Sequence, residues 1–468
     1  MIMGGVRENG RVTRVAILGG GPGGYEAALV AAQLGGEVTL VDRDGLGGSA
    51  VLTDCVPSKT LIATADVMTE AADSGELGVQ VGTAVGVDLA AVNSRVRALA
   101  DAQSSDIAAT VEKAGVRVLQ GGGRLASGDR VVVTGGDGST SEFTADVALI
   151  ATGARPRVMP DAEPDGERIL TWEQVYDLDA LPERLVVVGS GVTGAEFASA
   201  YNALGTDVVL VSSRDRVLPG EDADAALVLE EVFARRGLTV LSRSRAASVR
   251  RAGEGVVVTL EGGQTVEGSH CLMAVGSVPN TDGLGLDECG VRLGSGGFID
   301  VDRVSRTSAR GVYAAGDCTG VLMLASVAAM QGRIAMWHAL GDAVSPLNTA
   351  EVSANVFTSP EIATVGWSQA SIDAGEIDAR TVKLPLDTNP RAKMQGVHHG
   401  FVKLFCRPVT GIVVGGVVVA PRASELIYPI ALAVKSSLTV DAVAQAFTVY
   451  PSVSGSIAEA ARQLHRRS

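Results

Sequence analysis

Cys55 and Lys59 stand four residues apart in Cys55-Val-Pro-Ser-Lys59. That spacing is about one helical turn, so on a helix both side chains face the same way. Pro57 suits the first turn of such a helix. A helix N-terminus and a nearby ammonium each favour the thiolate, so both lower the expected pKa of Cys55. Such a thiolate is a nucleophile or an electron relay, and a lone one can cycle through a sulfenic acid. A cysteine with no second thiol is equally a small packed residue, and both readings stand.

A second chemistry is the holding of diphosphates. Val15-Ala-Ile-Leu-Gly19 is an apolar strand that runs into Gly19-x-Gly21-x-x-Gly24, followed by a helical pattern through Leu34 and a strand ending at Asp42. The first glycine permits the tight turn, the second admits a pyrophosphate against the backbone, and the third lets helix pack on strand. Pro22 and Gly23 complete the turn, whose helix dipole favours an anion. Asp42 ends the second strand, where a carboxylate accepts from ribose hydroxyls.

The pattern returns 170 residues later: Leu185-Val-Val-Val-Gly189, then Gly191, Val192, Thr193 and Gly194, then the strand Val208–Val211. Two fingerprints in register, each between apolar strands, imply two dinucleotide-binding folds, one for FAD and one for a nicotinamide. Adding 170 to Asp42 gives Ser212. An acid in that slot bonds both ribose hydroxyls of NADH and repels a 2′-phosphate, whereas Ser212-Ser213-Arg214 offers hydroxyls and a guanidinium. NADPH is therefore expected to be accepted. If Arg214 is only a solvated loop charge, NADPH and NADH both serve.

The elements that position these residues belong to a large globular chain. At 468 residues there is room for three domains. Net charge is 39 − 53 = −14, which repels phosphate backbones and argues against nucleic-acid partners. No apolar run reaches membrane-spanning length, and no signal-peptide pattern opens the chain. The five cysteines, Cys55, Cys271, Cys289, Cys318 and Cys406, fit neither a secreted disulfide framework nor a metal site, so cytoplasm is the expected compartment.

Gly47-Gly48-Ser-Ala50 through Cys55-Val-Pro-Ser-Lys59 resembles the active-site segment of the flavoprotein disulfide reductases, the family of lipoamide dehydrogenase, glutathione reductase and mercuric reductase. The resemblance runs from about Val12 to Ala461. It implies that Ala151-Thr152-Gly153 closes the first FAD segment and that Asp317, in Tyr313-Ala-Ala-Gly316-Asp317, binds a ribityl hydroxyl. It further implies that Gly48, Gly123 and Ala325 line the flavin, and that Gly276 marks the return from the nicotinamide fold. Glu196, two residues past the second fingerprint, becomes the partner of Lys59 beside the flavin, the pair orienting the nicotinamide for hydride transfer. Val356-Phe-Thr-Ser-Pro-Glu-Ile-Ala363 opens a C-terminal interface domain, so a homodimer is implied.

The resemblance departs at Ser277-Val278, where the family usually has an arginine, and at three positions of the dithiol apparatus. Ala50 stands where the first redox cysteine belongs. Tyr450 and Gly455, in Tyr450-Pro-Ser-Val-Ser-Gly455, replace the His and Glu that serve the dithiol. A tyrosine, with a pKa near 10, is a poor base at neutral pH and a good hydroxyl donor. The resemblance thus points to a disulfide-lacking branch that acts as NAD(P)H:quinone oxidoreductases, without lipoamide dehydrogenase activity. In it Tyr450 either bonds a quinone oxygen or only fills the old pocket. A soluble transhydrogenase or diaphorase, and a retired dimeric flavoprotein scaffold, are the competing readings.

The expected fold is α/β: two Rossmann-like domains plus an α+β dimerisation domain. The expected boundaries are an extension at 1–12, FAD-binding segments at 13–157 and 279–347, an NAD(P) domain at 158–278 and an interface domain at 348–468.

Overall fold

The computed structural model describes residues 12–82 and 85–465; of the expected N-terminal extension only Val12 falls within them. The chain forms two compact units. One comprises Met1–Ser58, Ser94–Arg157 and Ser277–Asn348, and the other Lys59–Asn93, Val158–Gly276 and Thr349–Ser468.

The first unit is built on a five-stranded parallel sheet in the order Val312–Ala314, Val147–Ile150, Arg14–Leu18, Glu37–Asp42, Arg117–Gln120. The central strand is apolar without alternation because both faces are covered, and Val15 to Leu18 are buried throughout. Helix Pro22–Gln33 follows it directly. Helix Ala325–Ala339 packs against that helix so closely that a Cβ on Gly332 would lie 2.0 Å from the Gly23 carbonyl oxygen. A three-stranded antiparallel sheet, Gly122–Ser127, Arg130–Thr134 and Thr140–Thr144, stands beside this core. Ala154–Pro156 pairs with Ser277–Pro279 in a two-stranded ribbon, so the chain leaves and re-enters this unit side by side.

The second unit repeats the plan. Its parallel sheet runs Thr239–Leu241, Asp207–Val211, Arg184–Val188, His270–Met273, Ile169–Thr171. Arg184 pairs with Asp207 and Val188 with Val211, as Arg14 pairs with Glu37 and Leu18 with Val41. The 170-residue offset therefore holds for the first two strands of each sheet.

A three-stranded antiparallel sheet, Ala246–Ala252, Gly255–Leu260 and Thr265–Gly268, also belongs to this unit, as does an antiparallel sheet in the order Ser353–Val356, Glu361–Gly366, Val413–Ala420, Phe401–Cys406, Arg380–Pro385. Helices Tyr428–Lys435 and Gly455–Gln463 cover the latter over a core that includes Val402, Leu404, Val418, Ile430 and Ile457. The Lys403 side chain is 3 % exposed, with its ammonium 2.7 Å from the carboxylates of Asp222 and Asp224 at the start of helix Ala223–Arg235. A buried cation of this kind needs full pairing, and two acids supply it.

Candidate active site

The first fingerprint is shaped by what its glycines cannot carry. Gly19 adopts φ +104°, and a Cβ there would meet the Ala151 carbonyl oxygen at 2.3 Å. A Cβ on Gly24 would fall 1.8 Å from the Gly19 oxygen, so this glycine sets the approach of helix to strand. Gly21 is different: a Cβ there meets only the Gly48 Cα, at 3.9 Å. No protein packing requires glycine at Gly21, which leaves an open cradle at a helix N-terminus. Pro22 and Gly23 form the first turn. Gly48, at φ +57°, faces this turn across a short separation and opens the short helix Gly48–Leu52.

Asp42 lies at the end of its strand with its carboxylate accepting three backbone amides, Gly20 at 2.7 Å, Asp44 at 2.9 Å and Gly45 at 2.7 Å. It organises the loop beside the cradle, and its two oxygens retain lone pairs for a ribose. The Thr152 hydroxyl donates to the Asn280 carbonyl at 2.6 Å, and the Asn280 side-chain amide donates to the Thr152 carbonyl at 2.9 Å. Gly153 at φ +69° completes that turn with open space over its Cα. The Gly316 N–H is held by the buried Gln331 side chain at 2.8 Å, which sets the turn that presents Asp317. Burial pushes the Asp317 carboxyl up to about 6, and the Asp54 carboxylate adds to the shift. An acid held there gains from an incoming hydroxyl donor. Ala325 opens helix Ala325–Ala339. The glycine at Gly123 is a packing requirement, since a Cβ would lie 2.6 Å from Leu18. The cradle at Gly21 and the undersupplied acid at Asp317 both fit FAD.

The second fingerprint has the same anatomy. Gly189 adopts φ +112° with a Cβ position 2.1 Å from the Ala274 oxygen, and a Cβ on Gly194 would sit 1.8 Å from the Gly189 oxygen. Around the Cβ position of Gly191 there is nothing within 4 Å, and Val192 and Thr193 begin helix Val192–Ala203 beside it. Gly276, at φ +91°, is similarly open. This cradle fits the pyrophosphate of a nicotinamide dinucleotide.

Ser212 departs from expectation. Its hydroxyl is fully buried, 2.7 Å from the Ser190 hydroxyl, and it accepts the Arg214 amide at 3.1 Å. It therefore shapes the loop rather than presenting a hydroxyl to a ribose. Ser213 and Arg214 are the exposed groups left to meet a 2′-phosphate.

Lys59 and Glu196, 137 residues apart, form an ion pair with Nζ 2.8 Å from Oε2. Glu196 lies on helix Val192–Ala203, is 4 % exposed, and accepts the Phe357 amide at 2.8 Å through its other oxygen. The Lys59 ammonium also stands 4.9 Å from the centroid of the Phe357 ring. Phe357 was not singled out from sequence: it lies just past strand Ser353–Val356, and its role depends on packing that no local pattern records.

Cys55 is the first residue of helix Cys55–Asp73, as its proline and lysine spacing implied, and none of the five cysteines forms a disulfide. Ala50 lies in helix Gly48–Leu52. Tyr450 is 84 % exposed, and Phe447 and Val449 nearby are also exposed. Gly455 begins helix Gly455–Gln463, where its amide is capped by the Ser452 hydroxyl at 3.1 Å. Among the described residues no cluster of metal-ligating side chains occurs, and no helix is long and apolar enough to cross a membrane.

Residues 13–332 match the pyridine nucleotide-disulphide oxidoreductase family, and residues 352–461 match its dimerisation domain. The chain is 60 % identical over 463 residues to a Mycobacterium tuberculosis protein named NAD(P)H dehydrogenase (quinone), covering 97 % of this chain and 94 % of that protein. It is 36 % identical to the dihydrolipoyl dehydrogenase of Chlorobaculum tepidum, covering 96 % of each. The crystal structure of LpdA from Mycobacterium tuberculosis superposes with a TM-score of 0.93 at 60 % identity, over 97 % of this chain and all of that one. The HOCl-induced flavoprotein disulfide reductase RclA from Escherichia coli shares the fold, with a TM-score of 0.84 at 22 % identity, over 96 % of this chain and 99 % of that one. With both cradles formed and both domain matches in place, the chain belongs to the pyridine nucleotide-disulphide oxidoreductase family, as an α/β flavoprotein oxidoreductase of FAD and NAD(P)H.

Proposed function

We propose that this protein is an NAD(P)H:quinone oxidoreductase that works without a redox disulfide and lacks lipoamide dehydrogenase activity. The observation that carries the reading is a contrast. The Lys59–Glu196 pair is intact, with Glu196 buried, while the dithiol positions hold Ala50, Tyr450 and Gly455. The relative named for quinone reduction supports it.

FAD, when bound, would supply the chemistry of hydride acceptance from NAD(P)H and two-electron transfer to a second acceptor. The first cradle, with Gly21, Gly48, Asp42, Thr152 and Asp317, holds that group, and the second, with Gly191 to Gly194, holds the nicotinamide dinucleotide. Lys59 supplies positive charge where negative charge develops, and Glu196 fixes the ammonium in place. A quinone takes the two electrons and two protons, one of them from solvent, and leaves as the quinol. Tyr450 offers its hydroxyl to a quinone oxygen across a homodimer formed through the interface domain. Cys55 has no role as a relay in this scheme. The working compartment is the cytoplasm. The proposed domain division is FAD-binding segments at 13–157 and 279–347, an NAD(P)-binding domain at 158–278 and an interface domain at 348–468; the two compact units divide differently, with Lys59–Asn93 and Thr349–Ser468 joined to Val158–Gly276.

The test is steady-state turnover of the pure protein with NADPH or NADH against benzoquinones, naphthoquinones, an NAD⁺ analogue and dihydrolipoamide. Quinone turnover without dihydrolipoamide turnover is expected. Efficient transfer to the NAD⁺ analogue with inert quinones would make the protein a transhydrogenase instead. Uptake of four reducing equivalents per subunit in an anaerobic titration would reveal a dithiol and overturn the scheme.

A further inference from the structure

We propose that Phe357 is a positioning residue for hydride transfer, acting through Lys59. Its backbone and its ring grip opposite ends of one ion pair. The amide donates to Glu196 Oε1 at 2.8 Å, while Glu196 Oε2 lies 2.8 Å from Lys59 Nζ. The ring stands 4.9 Å from that same ammonium. Glu196 is nearly fully buried, whereas the Lys59 side chain keeps 31 % of its exposure. A lysine carries a flexible four-carbon stem, so the direction of its ammonium is set by the groups around it. An aromatic face on a second side restricts that direction by attracting the cation electrostatically. The ammonium is thereby defined in direction as well as in charge.

Phe357 directly follows strand Ser353–Val356, so its position is set by the interface sheet rather than by the nucleotide-binding fold. Ser359, two residues on, donates its amide to the Ser199 hydroxyl at 3.1 Å, three residues after Glu196 on the same helix. The segment after the strand is thus pinned at two points to helix Val192–Ala203. The interface sheet consequently has a role in the chemistry distinct from dimer formation: it delivers the aromatic side of the cation site.

The inference rests only on the hydride-accepting half of the proposed reaction, and its test contains no quinone. Phe357→Leu and Phe357→Met retain the backbone amide to Glu196 and remove the ring, while Phe357→Tyr retains the ring. In the FAD-loaded protein, the rate of flavin bleaching by NADPH and the flavin midpoint potential are measured anaerobically. Both measurements are repeated in a Lys59→Met background. Loss of the ring is expected to slow bleaching about two- to thirtyfold, the span of a partly desolvated cation–π contact, and to lower the midpoint potential. Phe357→Tyr is expected to match the wild type, and the effect is expected to vanish when Lys59 is Met. Wild-type potentials and rates in both apolar variants would overturn the proposal. So would effects that persist undiminished in the Lys59→Met background, since the ring would then act by packing alone.

Discussion

The Ser190 and Ser212 hydroxyls lie 2.7 Å apart in the second fingerprint, at the positions that Gly20 and Asp42 occupy in the first. There, the Gly20 amide donates to the Asp42 carboxylate at 2.7 Å. The two folds thus close the same loop by different means, one with an acid and one with a neutral hydroxyl pair. A neutral pair leaves the neighbourhood of a ribose 2′-position without a repelling charge. The double substitution Ser190→Gly, Ser212→Asp transfers the first arrangement to the second fold. It is expected to raise the KM for NADPH about tenfold or more relative to NADH. Arg214→Ala is expected to raise the KM for NADPH alone, by about ten- to a hundredfold if its guanidinium bonds the phosphate. Equal effects on both nicotinamides would show that Arg214 is only a solvated charge.

The glycines of each cradle separate binding from folding. A Cβ on Gly21 or Gly191 meets no packed atom closer than 3.9 Å, whereas one on Gly24 or Gly194 would lie 1.8 Å from a carbonyl oxygen. Gly21→Ala is therefore expected to fold and to lose FAD, and Gly191→Ala to keep FAD and bind nicotinamides poorly. Gly24→Ala and Gly194→Ala are expected to yield little soluble protein. Absorbance of bound flavin, circular dichroism and nicotinamide KM values distinguish these outcomes.

The pH dependence of FAD binding follows from Asp317. Its carboxyl is raised by burial, and further by Asp54, from 3.8 to about 6. The unfolded chain releases this proton near 3.8 and the folded FAD-free protein near 6, so that protein loses stability as pH rises through this window. A hydroxyl donating to the carboxylate favours the charged form. FAD affinity is therefore expected to increase as pH rises toward 6, by up to about tenfold per pH unit, and to level off above it. Asp317→Asn is expected to flatten the profile. Flavin fluorescence quenching against pH, for the wild type and the variant, measures it.

Glu196→Gln keeps an acceptor for the Phe357 amide and removes the countercharge of Lys59. Leaving one charge of a buried pair uncompensated costs about 3–5 kcal/mol, and the partial exposure of Lys59 brings this site below that range. The expected result is a lower Tm and flavin bleaching slowed by at least about tenfold, with FAD still bound. Stopped-flow mixing with NADPH, alongside a thermal melt, gives both values.

Ala50→Cys restores one sulfur of the family pattern opposite Cys55, while Tyr450 and Gly455 remain. Its dihydrolipoamide turnover is expected to stay at background, because the base and its orienting acid are both missing. Thiol titration before and after oxidation reports whether the new cysteine forms a disulfide, independently of turnover.

Much of the architecture was legible from the one-dimensional pattern. The strands at Val15 and Leu185 are continuous apolar runs that end in glycines, and such a run followed by a phosphate-type turn and a helix admits few folds. The 170-residue repeat even carried the strand register, Arg14 with Glu37 and Arg184 with Asp207. It carried the slot at Ser212 as well, but not the direction of its hydroxyl, because a serine fits a ribose contact and a turn bond equally well.

The chain alone determined which chemistry is absent, since an alanine at Ala50 and a glycine at Gly455 cannot supply a thiol or a carboxylate in any conformation. It also determined where the diphosphate cradles lie, because backbone sterics at glycine act over a few neighbouring residues. Only the tertiary structure decided that Phe357 shares the Lys59–Glu196 pair and that Gln331 holds Gly316. Those contacts join segments far apart in the chain, and their energies depend on burial and direction, which the order of residues does not encode.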